Sequence, residues 1–159
     1  MPSSITQCFG CPYRERGKGF VPGKGPLDAK VAFIGRGPDS SDVFTSEPFT
    51  GTAGTRLDIW FAKANIPRSK CWMGGAVQCQ LKVRGKDAAP PKAIAECYQR
   101  HWGQPLLAML EAGTLQTIVT VGSEASRFLC GKWAGDRAAG SLVEVELPTL
   151  ASVPNLGLG

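Results

Sequence analysis

Three short apolar runs limit most strongly what this chain can fold into. They span Lys30 to Gly35, Trp72 to Val77 and Thr117 to Val121, the last closed by Gly122. Each is nearly all apolar and has strand length, as expected for strands buried on both faces of a sheet. Helical patterns lie between them. Thr52 to Ala64 carries Leu57, Trp60 and Phe61 at helical spacing. Lys92 to Trp102 reads as a helix bearing Cys97; Pro105 is expected to break it before a second helical piece from Leu106 to Ala112. Ser123 is a good N-cap for a helix through Cys130, with Glu124 in its first turn. Leu142 to Leu147 and Thr149 to Ala151 supply a last strand region. Strands alternating with helices predict an α/β fold of three αβα layers around a mostly parallel four-stranded sheet. Ligands of such sheets bind beyond the carboxyl ends of the strands. That rule brings Gly35–Asp39, Gly74–Cys79 and Gly122 to one rim.

The 159 residues suit one domain, 1–159, with neither a repeat nor a clear linker. Residues 12–29, rich in Gly, Pro and charge, read as a loop within an N-terminal segment, 1–29. No run approaches the length of a membrane span, and Met1 to Gln7 has neither the charge nor the apolar stretch of a secretory signal. An intracellular, cytoplasmic monomer is the expectation, so the six cysteines are expected as ligands or free thiols. The net charge of +5 and a pI near 9.0 leave two readings open: a polyanionic partner such as nucleic acid, or a basic, inert surface.

Four of the cysteines form a set. Cys8 and Cys11 make a CxxC pair, while Cys79 follows the second strand and Cys97 sits on a helix. Thiolates so arranged suit an iron–sulfur cluster stapling the N-terminal segment to the body. Zinc uses a CxxC pair as readily, and four unligated core thiols are the bland alternative. Cys71 and Cys130 lie outside the pattern and read as structural.

With those residues in view, the chain resembles the iron–sulfur, family 4 uracil-DNA glycosylases from about Cys8 to its end. Gly35-Arg36-Gly37-Pro38-Asp39 is similar to that family's Gly-Glu-Ala-Pro-Gly motif. Pro48-Phe49-Thr50-Gly51-Thr52-Ala53-Gly54-Thr55-Arg56-Leu57 is similar to its Pro-Phe-Val-Gly-x-Ala-Gly-x-Leu-Leu, and Val119 to Ala125 to its later strand–Gly–helix element. The resemblance implies a uracil-DNA glycosylase-like fold and a 4Fe–4S cluster on Cys8, Cys11, Cys79 and Cys97. It further implies DNA, single- or double-stranded, as partner, and a base-binding site including Gly35, Arg36, Gly37, Pro38, Phe49 and Gly75.

The departures bear on chemistry. Arg36 stands where the family motif has Glu, and Gly74-Gly75 stand where it has Thr-Asn. Ala151 to Asn155 replaces its His-Pro-Ser, and the only histidine is His101, on the Cys97 helix. The chain is also expected to be short relative to the family at its C-terminus, lacking the helix that the family carries beyond this segment. Cleaving an N-glycosidic bond places positive charge on the sugar and negative charge on the base. It therefore calls for a water-positioning group and a donor to the leaving base. Asp39, ahead of Asp42, is the candidate catalytic carboxylate; the alternative is a turn-forming Asp after Pro38. Phe49 offers a stacking face or a core aromatic, and Arg36 a phosphate or purine contact or a solvated loop residue. Lys82, Arg84 and Lys86 are expected to follow a DNA backbone, against a plain solvated charge run. The expected function is DNA binding with weak or no ordinary uracil excision. A glycosylase of altered base specificity and a protein-interaction role are the rivals.

Overall fold

The computed structural model describes residues 4–14, 17–81, 89–131 and 139–153. Strand β1 (Gly17–Lys18) pairs antiparallel with β4 (Gln80–Leu81) in a small ribbon. The main sheet holds β3 (Trp72–Gly75), β2 (Val31–Gly35) and β5 (Thr117–Thr120) in the order β3-β2-β5, all parallel. Successive side chains of a strand point to opposite faces, and both faces of the sheet meet core, nearly fully at β2 and only partly at β5, which has no buried residue. Ala32, Ile34, Trp72 and Ile118 join one core cluster, with Tyr98, Trp102, Leu106 and Met109. Phe33, Met73, Val31 and Val119 join the other, with Leu57, Phe61 and Phe49.

Helices α1 (Ser40–Thr45) and α2 (Thr52–Ala64) follow β2. α2 has the predicted bounds, and Leu57 and Phe61 face the sheet. Trp60 is instead 59% exposed, turned to the solvent side. Asn65 ends α2 in the left-handed conformation, its N–H reaching back to Phe61 and Ala62 carbonyls, a favoured helix stop.

Helix α3 (Pro91–Cys97), a π-helical turn (Tyr98–Trp102) and α4 (Gly103–Glu111) follow one another directly. The expected break at Pro105 is not there. Pro105 lies just past the π-helical turn, and the helical run carries on through it into α4. Helix α5 (Ser123–Cys130) ends where expected but starts one residue earlier, with Gly122, at φ +107°, as its N-cap in place of Ser123.

The expected fourth strand differs as well. Among the described residues the main sheet has three strands, and residues 142–147 form none. A cleft of about 310 Å³, lined by Thr117, Ile118, Val143 and Leu147, separates them from β5 and leaves no ladder contact. Leu147 and Leu150 pack on the core, and Tyr98 donates its hydroxyl to the Pro148 carbonyl at 2.6 Å, so side chains hold this segment. No helix among the described residues is long and apolar enough to cross a membrane.

Candidate functional site

The carboxyl ends of the three parallel strands open onto a cavity of about 450 Å³. Gly35 to Asp39 line it after β2, Gly74 and Gly75 at the end of β3, and Gly122 to Glu124 after β5. Ladder-type hydrogen bonds carry the rim past the strands: the Ala76 N–H donates to the Gly35 carbonyl at 2.8 Å and the Val121 N–H to Ile34 at 2.8 Å. Gly35, Arg36, Gly37, Pro38, Asp39, Phe49 and Gly75, scattered in sequence, thus meet at one place. Lys82, Arg84 and Lys86 lie outside the described residues.

Phe49 is 9% exposed, and its backbone is left-handed, φ +59°. A bulky residue adopts that conformation only where its surroundings impose it. Arg68 supplies the hold. Its Nη2 donates to the carbonyls of Pro48 at 2.9 Å and Phe49 at 2.8 Å, and its Nη1 to Asp58 at 2.7 Å. The Phe49 ring stands against Gly35, where a Cβ would come within 2.7 Å of it. One aromatic therefore serves both as core and as cavity wall.

The two aspartates of the motif region are engaged by backbone. Asp39 caps α1, its Oδ1 accepting from the N–H groups of Ser41 at 2.8 Å and Asp42 at 3.0 Å. Asp42 returns the bond from its Oδ2 to the Asp39 N–H at 3.2 Å, completing a capping box. Asp42 is 6% exposed, and its Oδ1 also accepts from the Thr50 N–H at 2.7 Å and hydroxyl at 2.9 Å. The short helix α1 had escaped the sequence reading, although Asp39 followed three residues later by Asp42 is its signal.

Glu124 enters the site unforeseen. It is half-buried on the first turn of α5 and lines the same cavity as the aspartates. A Cβ placed on Gly122 would lie 3.6 Å from Glu124 Oε2 and 4.0 Å from Arg36 Cβ, so the Glu124 carboxylate and the base of the Arg36 side chain flank that glycine. Arg36 is exposed and forms no ion pair among the described residues. Gly75 cannot bear a side chain on this backbone, since its Cβ would stand 2.5 Å from the Val77 carbonyl oxygen and 2.9 Å from Gly37 Cα.

The cysteines assemble a second site. Cys8, Cys11, Cys79 and Cys97 line one cavity of about 150 Å³, with Phe20, Arg100 and His101. Cys8 ends a 3₁₀ turn, Ile5–Cys8, whose start Ser4 and Gln7 cap reciprocally. The Cys11 N–H closes the CxxC turn on the Cys8 carbonyl at 2.9 Å. Cys97 is the last residue of α3, and its sulfur accepts the Gln78 N–H at 3.2 Å. Arg100 Nη1 donates to the carbonyls of Gln7 and Phe9 at 3.0 Å, gripping the chain on either side of Cys8. Cys8 Sγ and His101 Nε2 lie 3.1 Å apart. Burial pushes the Cys79 thiol up to about 11 and Cys97 further, and the neighbouring cysteine sulfurs add to both shifts. Burial, with Arg100 beside it, lowers His101 to about 4. No three His, Cys, Asp or Glu side chains among the described residues come close enough together to hold a single metal ion. Cys71 is buried in the opposite cluster, as a structural role predicts.

Comparison with known proteins agrees with this architecture. The family model described as the uracil DNA glycosylase superfamily matches residues 22–153. The chain is 30% identical over 129 residues to a type-4 uracil-DNA glycosylase of Thermotoga maritima, covering 80% of this chain and 64% of that protein. It is 27% identical over 125 residues to a type-4 uracil-DNA glycosylase of Archaeoglobus fulgidus, covering 79% and 59%. The chain thus spans about three-fifths of the length of these curated relatives.

Proposed function

Since the chain belongs to the uracil DNA glycosylase superfamily, we propose that it is an iron–sulfur protein that binds DNA at the strand-end cavity and excises ordinary uracil weakly or not at all. The observation that carries this reading is the contrast within that cavity. Its backbone rim and the Phe49 wall are in position, whereas Arg36 and Gly75 stand where the resemblance calls for Glu and Asn. His101, the only histidine, lines the cysteine cavity instead. Removing one group that stabilises the developing charge costs about 100- to 1000-fold in rate, so three absent together leave little uracil chemistry. Asp39 is the first carboxylate of this reading, weakened as a water-positioning group because its Oδ1 is held as a helix cap.

The four thiols line one cavity, and an all-thiolate donor set of this kind suits a 4Fe–4S cluster, the group that the resemblance implies. Cys8, Cys11, Cys79 and Cys97 would hold it, and its positive irons would supply the charge that keeps buried thiolates ionised. Bound there, the cluster ties the N-terminal segment to α3.

Glu124 favours a second reading, a glycosylase for another base. A carboxylate accepts from N–H donors and a guanidinium donates to acceptors, so Glu124 with Arg36 suits a base edge that presents both, with at least one exocyclic or ring N–H for the carboxylate. Both readings meet one experiment: strand cleavage at abasic sites after incubation with oligonucleotides carrying uracil, hypoxanthine, xanthine and other modified bases, beside gel shifts at two salt concentrations. Salt-sensitive binding without excision is expected. Rapid uracil release would overturn the first reading. Release of a different base, lost in Glu124→Gln, would establish the second. No binding at low salt would defeat both and leave a protein-interaction role.

A further inference from the structure

We propose that His101 donates a hydrogen bond from Nε2–H to the sulfur of Cys8, setting the redox potential and durability of the cluster on its N-terminal side. The inference rests on the reading that the four cysteines hold an iron–sulfur cluster.

His101 is the only histidine of the chain and is 3% exposed. A buried imidazole needs partners for its ring nitrogens, and Nε2 lies 3.1 Å from Cys8 Sγ, within reach for an N–H to sulfur bond. The Phe20 ring packs beside the imidazole at 5.1 Å and 51°, limiting its rotation and covering it from water. The π-helical turn brings Arg100 and His101 to the CxxC segment together. Arg100 grips the carbonyls of Gln7 and Phe9, while His101 meets the sulfur between them. π turns of this kind recur at functional sites.

Two of the four sulfurs therefore have N–H groups aimed at them. Cys97 has the backbone N–H of Gln78, which no substitution short of proline removes, and Cys8 has a side chain. A hydrogen bond to a ligating sulfur draws electron density from it, favours the reduced cluster and raises its potential. It also makes the sulfur a poorer target for oxidants. Cys8 is the ligand with most to gain, because it sits on a short terminal segment held by a few local bonds and by Arg100.

The test compares anaerobically prepared wild type, His101→Gln and His101→Leu by iron content, thermal unfolding, reduction potential and iron loss to a chelator. Iron is expected in all three. His101→Leu should show a more negative potential and lose iron about 10-fold faster. His101→Gln, which keeps an N–H donor, should fall between. A folded, iron-loaded His101→Leu with wild-type potential and iron retention would overturn the proposal. So would complete loss of iron from both variants, matching Cys97→Ser, since His101 would then be a ligand. One measurement needs no substitution. With a single histidine, isotopically labelled histidine puts the label at one place, and pulsed EPR of the reduced cluster should show a weak coupling to it. No coupling, or one as strong as direct ligation gives, would overturn the proposal. A wild type that binds no iron would refute the cluster reading itself, a result distinct from every variant outcome.

Discussion

The strand-end cavity and the cysteine cavity sit on the same scaffold but differ in what has been kept. Around the cysteines, side chains of four separate segments converge, and groups behind them converge too: Arg100 on the chain beside Cys8, the Gln78 N–H on Cys97, Phe20 over His101. At the strand ends the backbone converges equally well, and the polar side chains do not match the pattern that the backbone resembles. A fold supplies positions, and chemistry depends on what occupies them. The converging backbone is therefore a guide to fold, and the side chains at the strand ends are a guide to chemistry.

The largest expected effect breaks the cysteine side of the comparison. Cys79→Ser and Cys97→Ser should each abolish iron binding, read by metal analysis and loss of brown colour. The N-terminal segment should become the first site of protease cleavage. Full iron content in either variant would remove that cysteine from the set.

Next comes an attempt to make the other cavity match. Gly75→Asn should fail to confer uracil excision, because its Cβ meets the Val77 carbonyl and Gly37 Cα. A cost of about 1–3 kcal/mol in unfolding free energy should accompany it. Uracil release gained without loss of stability would show that this backbone gives way.

Arg68→Ala asks how far the aromatic wall depends on its hold. Loss of three charge-assisted bonds from a partly exposed guanidinium should cost about 1–3 kcal/mol. It should also weaken DNA binding, with Phe49 released from its left-handed backbone. Unchanged binding with lowered stability would make Phe49 purely a core residue.

Asp39→Ala should cost about 1 kcal/mol as a lost cap, measured by chemical denaturation. Any residual base release falling with unchanged stability would return Asp39 to the chemistry. The smallest change is Trp60→Ala, expected within about 0.5 kcal/mol because the ring faces solvent.

Much of this was legible in sequence, for physical reasons that differ by element. Strands covered on both faces announce themselves as apolar runs, and α2 ends where Asn65 can turn left-handed. Trp60 misled because helical spacing marks a stripe about 100° wide, and the residue before Phe61 falls at its edge. The fourth strand misled because an alternating pattern such as Leu142 to Leu147 needs a partner edge, and a cleft intervenes. Pro105 misled because the π turn just before it shifts the hydrogen-bond ladder, a tertiary feature that residue spacing does not announce, and the helical run carries through. In the strand-end cavity, glycines and a motif register were enough to bring the rim together. Glu124 escaped because a carboxylate in a helix first turn already has an electrostatic reason to be there. His101 lay four residues after Cys97 in plain view, but its contact is with Cys8, 93 positions away.

The π-helical turn has a consequence in phase. Ile94, Tyr98, Trp102 and Leu106, all buried in one cluster, recur every fourth residue. In an α-helix that spacing drifts by about 40° per step, carrying the stripe off the core within a few turns. Here the Gly103 N–H bonds to the Tyr98 carbonyl five residues back, which underwinds the helix and returns the stripe to the sheet. Cys97, Arg100 and His101 share this stretch, so their aim is fixed by the same correction. Length, more than side-chain identity, is what residues 98–102 cannot give up. Deleting one of them would turn the cysteine side and the α4 side against each other by about 100°.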